Sequence, residues 1–234
     1  MSTLIFGHRG IPAKFPENSM QGFRYAIEHH VEGLEFDVHL TRDRLPVIMH
    51  DETIDRTTDG GGRICDYNYE QLKTFKLSNG EPIPTLYDLI KLVQNIDVVL
   101  NLEFKTNQIH YRGIEEIVLR QVSQAYLLHP VIYSSFNLAS LKICQRLDDS
   151  QNYCYLTGQM VPNPLQFMKE EHLNGLHLHH AQNSESLIER IWTVNNEDQM
   201  IKLFSQDVDG IFTDDFEKAM RMRQQLHHNQ LLVG

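Results

Sequence analysis

Short apolar runs alternate with helical patterns along nearly the whole chain, and this repeat limits the fold more than any other feature. It is the signature of successive βα units built on a parallel sheet. Nine runs read as strands: Leu4 to His8, Leu34 to Val38, Pro46 to His50, Val98 to Lys105, Val131 to Ser135, Tyr153 to Thr157, Gly175 to His179, Ile191 to Val194 and Asp209 to Thr213. A closed (β/α)8 barrel needs eight, so at least one is expected to be irregular or to lie outside it. Between them, Met20, Phe23, Ile27 and Val31 recur at helical spacing after Asn18, the expected cap, with Gln21 three positions on and Gly33 as the stop. Thr85 with Asp88 opens a second helix over Leu86 to Val93, and apolar spacing marks further helices from Ile114 and from Leu138.

No linker or low-complexity stretch divides the 234 residues, so one domain over residues 1–234 is expected. The segment Asp51 to Asp66 is too long and glycine-rich for a minimal connection and reads as a functional loop. Composition narrows the function classes. With 21 basic against 31 acidic side chains the chain has no electrostatic reason to coat nucleic acid or anionic membrane. No stretch nears the roughly 20 apolar residues that span a bilayer, and the first residues lack a basic stretch followed by a long apolar run. The three cysteines, Cys65, Cys144 and Cys154, form no CxxC pair and leave an odd thiol, which fits a reducing cytoplasm.

Strand alternation places Leu34, Phe36 and Val38 on one face and Glu35 with Asp37 on the other. In Val98 to Lys105 it likewise sets Asn101, Glu103 and Lys105 apart from Leu100, Leu102 and Phe104. Acids on a strand inside an α/β fold need partners, because unpaired they are costly to desolvate. Glu35, Asp37 and Glu103 could together bind a hard divalent cation such as Mg²⁺ or Ca²⁺, or could serve as ion-pair partners of Arg9 and Lys105. His8 and His50 end the first and third candidate strands, beside Arg9 and Asp51, and their side-chain chemistry suits proton transfer near neutrality. Arg9 offers a planar fork for a phosphate and Lys105 a point charge. Elsewhere, His177 and His179 of HLHH share a face, yet no cysteine or carboxylate spacing completes a zinc site. The paired histidines His29/His30 and His227/His228 read as solvated or capping residues, and Trp192 as core or pocket wall. P-loop, GxGxxG and GxSxG patterns are all missing, which removes three common nucleotide-binding and hydrolase readings.

Taken in order, GHRG (7–10), PENS (16–19), EFDV (35–38), TRD (41–43), PVIMHDETIDRTTDGGG (46–62), IPTL (83–86), NLEFK (101–105), SSF (134–136), WTVN (192–195) and DGIFTD (209–214) resemble the glycerophosphodiester phosphodiesterase family, in its small soluble branch. The resemblance implies a TIM-type barrel, a divalent cation and hydrolysis of glycerophosphodiesters, the deacylated phospholipid headgroups, to an alcohol and sn-glycerol 3-phosphate. It matches His8 and His50 to the family's acid/base histidines, Glu35, Asp37 and Glu103 to its metal ligands, and Arg9 and Lys105 to its phosphate-facing cations. Glu17 and Asn18 fall in a segment near the family's site, and Trp192 at a position whose ring faces substrate. The glycerol 2-hydroxyl is expected to attack first, giving a cyclic phosphate that water opens. A headgroup lyase or lysophospholipase D on the same barrel, an inactive phosphodiester-binding barrel and an aldolase using Lys105 as Schiff base are the alternatives. Between HLHH and WTVN the chain departs from the family: AQNSESLIERI leaves room for about three helical turns at best, so a shortened late βα unit is expected.

Overall fold

The computed structural model describes residues 3–233, with side chains through residue 228. Its strands are β1 (Leu4–Gly7), β2 (Gly33–Leu40), β3 (Pro46–Ile48), β4 (Val99–Phe104), β5 (Ile132–Ser135), β6 (Asn152–Thr157), β7 (Gly175–Leu178), β8 (Glu189–Ile191) and β9 (Gly210–Thr213). Eight of them are parallel, each bonded to the next, and β1 pairs with both β9 and β2, so the sheet closes on itself as a TIM-type barrel. The ninth, β3, runs antiparallel against Val38 to Leu40 of β2 and lies outside the barrel. That corrects the sequence reading at one point. His50 follows a returning hairpin strand rather than ending a barrel strand, and the turn over residues 41–45 folds β3 back so that Met49 donates its N–H to the Asp37 carbonyl at 3.1 Å.

The helices are α1 (Met20–Glu28), α2 (Tyr69–Leu72), α3 (Leu86–Val93), α4 (Ile114–Ser123), α5 (Leu138–Leu147), α6 (Pro164–Glu170), α7 (Glu197–Ser205) and α8 (Phe216–Val233). Among the described residues, no helix is long and apolar enough to cross a membrane. The expected capping box opens α3: Thr85 Oγ1 accepts the Asp88 N–H at 3.1 Å, and Asp88 Oδ2 accepts the Thr85 N–H at 3.0 Å. At α1 the cap is Ser19, not Asn18; Ser19 Oγ accepts the Gly22 N–H, while Asn18 sits at φ 54° with its side chain turned toward β2. Gly33 does not stop α1 either. The helix ends at Glu28, with His29 as its cap stacked on Tyr25, and Gly33 opens β2. No helix joins β7 to β8, so the late unit is shortened as expected. The strand expected at 191–194 forms instead at Glu189–Ile191, beginning on a charged residue that hydropathy cannot mark. Glu189 is buried because its carboxylate accepts the N–H groups of Gln182 and Asn183.

Three apolar clusters divide the packing. The largest fills the layer between barrel and helices, with Ile5, Leu34, Phe36, Leu100 and Leu102 as its sheet-side members. A smaller one plugs the barrel interior around Phe6, Ile132, Cys154 and Phe212, with the Phe6 and Phe212 rings 5.0 Å apart. A third, of Val47, Met49, Ile54, Ile64, Leu72, Leu77 and Ile83, belongs to the excursion between β3 and α3. Nearer the carboxyl ends of β2 and β4 the alternate positions that avoid the outer core become polar: Glu35, Asp37, Asn101 and Glu103.

Gly33 allows the interior plug to form, since a Cβ there would lie 2.3 Å from the Phe6 ring. Gly33→Ala is therefore expected to destabilise the fold by about 1–3 kcal/mol through overpacking, read as a lower urea midpoint at unchanged m-value; an unchanged midpoint would show that Phe6 repacks freely.

Candidate active site

Parallel register brings the acids together. Glu35 pairs with Asn101 and Asp37 with Glu103 across β2 and β4, so alternation aims all four side chains to one face. One carboxylate oxygen from each of Glu35, Asp37 and Glu103 lies within 4.8 Å of the others. The three residues are 4%, 1% and 8% exposed, which rules out solvent as their main stabiliser. Burial, with the neighbouring acids, pushes the Glu35 carboxyl well above its usual range. Glu103 is raised as well, mainly by burial. Burial acts the same way on Asp37, but Lys105 and Arg9 outweigh it and hold that carboxyl at about 2.

Two cations serve three acids. The Lys105 ammonium donates to Glu103 Oε1 at 2.9 Å and stands 3.6 Å from Asp37 Oδ1. Burial disfavours its charge, yet Glu103 and Asp37 raise its pKa, so it stays an ammonium and cannot serve as a Schiff-base amine. The Arg9 guanidinium lies 3.5 Å from Asp37 Oδ2 through Nε and donates through Nη1 to Glu17 Oε1 at 3.1 Å. Arg9 is at φ 54°, and its N–H donates to Glu35 Oε2 at 2.9 Å. Asn18 Nδ2 donates to Asp37 Oδ2 at 2.9 Å. Even so, Glu35 Oε1 and Asp37 Oδ1 are buried with no hydrogen-bond partner. Converging, under-satisfied carboxylate oxygens fit a hard divalent cation by donor chemistry.

Each histidine is held from behind. His8 Nδ1 lies 2.7 Å from Asp214 Oδ1, a contact between residues far apart in the chain that the Gly7–Thr213 register of β1 and β9 makes adjacent. His50 Nδ1 lies 2.7 Å from Asp51 Oδ1. Burial would raise both aspartates, but His8 outweighs it at Asp214, and Arg56 with His50 outweighs it at Asp51, which falls to about 2. As carboxylates they only accept, so each imidazole carries its proton on Nδ1 and presents Nε2. His8 Nε2 is 4.0 Å from Glu35 Oε2. Asn195 Nδ2 donates to the second Asp214 oxygen at 2.6 Å. Behind His50, the buried His39 is pushed down to about 4 by desolvation and is neutral. Its Nε2–H donates to the His50 carbonyl at 3.1 Å, and its Nδ1 accepts the Tyr111 hydroxyl at 2.8 Å.

These groups open onto one cavity of about 120 Å³. His8, Arg9, Glu35, His50 and Glu103 line it on the polar side, Phe136, Leu156, Trp192 and Phe212 on the apolar side. Trp192 packs edge-on against Phe136 at 5.4 Å and lines that cavity. Glu17 and Lys105 stand behind the wall: Glu17 anchors Arg9 and Arg56, and Lys105 flanks the carboxylates. His177 is fully buried beside Arg190, whereas His179 and His180 are exposed, so HLHH does not converge on one site. Sequence reasoning assigned no role to Asp214, Asn195, His39 or Arg56. Asp214, Asn195 and Arg56 stood in quoted motifs, but only the folded structure reveals what they touch.

Known proteins resemble this chain in both sequence and fold. The Glycerophosphoryl diester phosphodiesterase family profile matches residues 8–218. A protein from Bacillus altitudinis named glycerophosphodiester phosphodiesterase is 32% identical over 243 residues, covering 96% of this chain and 99% of that one. A protein of the same name from Caldanaerobacter subterraneus subsp. tengcongensis is 32% identical over 240 residues, covering 95% and 98%. Among solved structures, an Oleispira antarctica phosphodiesterase in complex with the product sn-glycerol-3-phosphate superimposes with a TM-score of 0.86 at 26% identity, covering 94% of this chain and 96% of that one. The glycerophosphodiester phosphodiesterase of Thermotoga maritima gives 0.80 at 27%, covering 95% and 99%. With the family profile matching residues 8–218 and relatives 32% identical over nearly its full length, this chain belongs to the glycerophosphoryl diester phosphodiesterase family.

Proposed function

We propose that the protein hydrolyses glycerophosphodiesters to an alcohol and sn-glycerol 3-phosphate, with a divalent cation, Mg²⁺ or Ca²⁺, held by Glu35, Asp37 and Glu103. The observation that carries this reading is that two carboxylate-backed histidines, an arginine and two of the three clustered acids line a single cavity. When bound, the cation supplies positive charge to phosphoryl oxygens and acidifies a nearby hydroxyl. Arg9, from the cavity wall, and Lys105, from the carboxylate side, add charge where the phosphoryl group becomes more negative. His8 and His50 divide the proton transfers at Nε2: the one that enters with Nε2 free takes the proton of the attacking glycerol 2-hydroxyl, and the other, entering with both ring nitrogens protonated, delivers its Nε2 proton to the leaving alcohol. Asp214 and Asp51 hold the tautomer that makes this exchange workable. The same pair then activates the water that opens the cyclic phosphate. Phe136 and Trp192 provide the apolar wall for the rest of the substrate.

The whole chain acts as one barrel domain in this reading, supported by a family match that spans most of it and one sheet that contains every strand among the described residues. The substrates are small molecules rather than nucleic acid or membrane, which accords with the net charge of -10. A cytoplasmic place in lipid and glycerol metabolism accords with three free cysteines.

Protein stripped by a chelator is expected to release no sn-glycerol 3-phosphate from glycerophosphocholine and to recover when Mg²⁺ or Ca²⁺ is added back; full turnover in the chelated state would remove the cation from the mechanism. Alanine at His8 or His50 should lower kcat by about 10²- to 10⁴-fold, and near-normal turnover in both variants would end their assignment. The cation also has a readout without substrate. At about 100 times its Kd it should raise the unfolding free energy of the wild type by about 2.7 kcal/mol, and that gain should vanish in Asp37→Asn; a gain that persists in the variant would place the cation elsewhere.

A further inference from the structure

The loop between β3 and α2 carries one residue whose contacts exceed what a surface arginine needs. Ile54 is fully buried in the cluster that packs this excursion, its N–H donates to the Gly62 carbonyl, and its own carbonyl accepts both the N–H and the hydroxyl of Thr58. Bridges between Thr53 and Arg63 and between Thr58 and Leu77 hold the flanks. Arg56 therefore projects from a backbone turn that is fixed at both ends.

Its guanidinium makes three hydrogen bonds to two acids. Nε donates to Asp51 Oδ2 at 2.6 Å, while Nη1 and Nη2 form a fork on Glu17, at 2.8 Å to Oε2 and 2.7 Å to Oε1. Both acids are also engaged with site residues. Asp51 Oδ1 takes the His50 Nδ1–H, and Glu17 Oε1 takes the Arg9 Nη1–H. One planar cation thus links His50–Asp51, on the hairpin side, to Glu17–Arg9, which follow β1. Without it, nothing else among the described residues holds the Asp51 carboxylate against the His50 ring, so Asp51 could swing away and leave Nδ1 without its acceptor, and Glu17 would be left to Arg9 alone. A lysine cannot replace the fork, because a single ammonium has no rigid spacing with which to grip two carboxylates at once.

We propose that Arg56 is a positioning residue, which fixes the His50 tautomer through Asp51 and the Arg9 guanidinium through Glu17 without touching substrate. The kinetic part of this rests on the reaction proposed above; the geometric part does not. The competing description is an ordinary exposed ion pair, since the Arg56 side chain is 49% accessible. Such pairs contribute little to stability, and one without further duty would leave catalysis unchanged.

The test compares wild type, Arg56→Ala and Arg56→Lys, with glycerophosphocholine as substrate and Mg²⁺ or Ca²⁺ present. In Arg56→Ala we expect kcat to fall about 10- to 100-fold, within the range over which displaced catalytic groups lose rate, with a smaller change in KM and an almost unmoved urea midpoint. Cation-linked stabilisation should persist, because Arg56 contacts none of Glu35, Asp37 and Glu103. Added guanidinium or ethylguanidinium should restore part of the lost kcat in Arg56→Ala and none in wild type, and Arg56→Lys should recover less than the rescued variant. Wild-type kcat and KM in both variants would overturn the proposal, as would a loss of rate explained by a matching loss of fold. An independent arm uses ¹H–¹⁵N NMR of the His50 ring with no substrate present. Wild type should show one tautomer, protonated at Nδ1, and Arg56→Ala a mixture. Should the wild type cleave no diester, the proposed reaction falls while this arm still decides the role of Arg56: an unchanged ring spectrum refutes it, and a mixed one supports it.

Discussion

Three carboxylates held almost out of solvent within 4.8 Å of one another are the constraint to which the rest of the structure answers. Like charges in a desolvated space repel, and each buried ion forfeits several kcal/mol of hydration. The chain offsets this with everything nearby. Lys105 and Arg9 supply charge, the Arg9 N–H binds Glu35, and the Asn18 amide binds Asp37. Two of those donors reach their targets only because Arg9 and Asn18 adopt a left-handed backbone, at a cost of about 1–2 kcal/mol each for a residue with a side chain. Such strain persists where surrounding contacts over-determine it, and here it turns backbone and amide donors onto acids that would otherwise be unserved.

The barrel makes that concentration of charge tolerable by separating functions along its axis. An apolar plug around Phe6 and Phe212 fills the interior, and the acids come nearer the carboxyl ends of β2 and β4, where loops bring the histidines and Arg9. Conserving the plug needs a glycine at position 33 opposite Phe6 of β1, and conserving the acids needs the β2–β4 register, so a one-residue slip of β2 against both neighbours would break both at once. Where β7 passes to β8 without a helix, the buried carboxylate of Glu189 ties down the connection by accepting two backbone N–H groups. Polar capture of backbone thus does locally what an amphipathic helix does elsewhere around the ring.

Much of this is legible in the amino-acid sequence, and for identifiable reasons. Period-two alternation marks Glu35, Asp37 and Glu103 because acids inside an otherwise apolar strand stand out, and the Thr85/Asp88 capping box announces α3 directly. The misread features share a different cause. Asn18 and Ser19 are both good helix caps, and only the tertiary demand of Asp37 decides which residue caps and which takes a positive φ. A three-residue strand carries no mark of its direction, so the hairpin return of β3 is not readable from its residues. Asp214 and Arg56 act through partners distant in the chain, and a lone acid or an arginine in a polar loop gives no local signal of what it will meet.

The excursion that carries His50 has its own small hydrophobic cluster, distinct from the plug and from the outer layer of the barrel. The two histidines therefore belong to different packing units: His8 to the barrel, secured by the join of β1 and β9, and His50 to an appended hairpin. Units packed separately can open separately. Local unfolding of the hairpin would remove His50, Asp51 and Arg56 together while Glu35, Asp37 and Glu103 kept their places on β2 and β4. Heating or mild denaturant would then silence the chemistry before it dismantled the acidic cluster, and the silenced protein would still look folded to any probe that reports on the barrel.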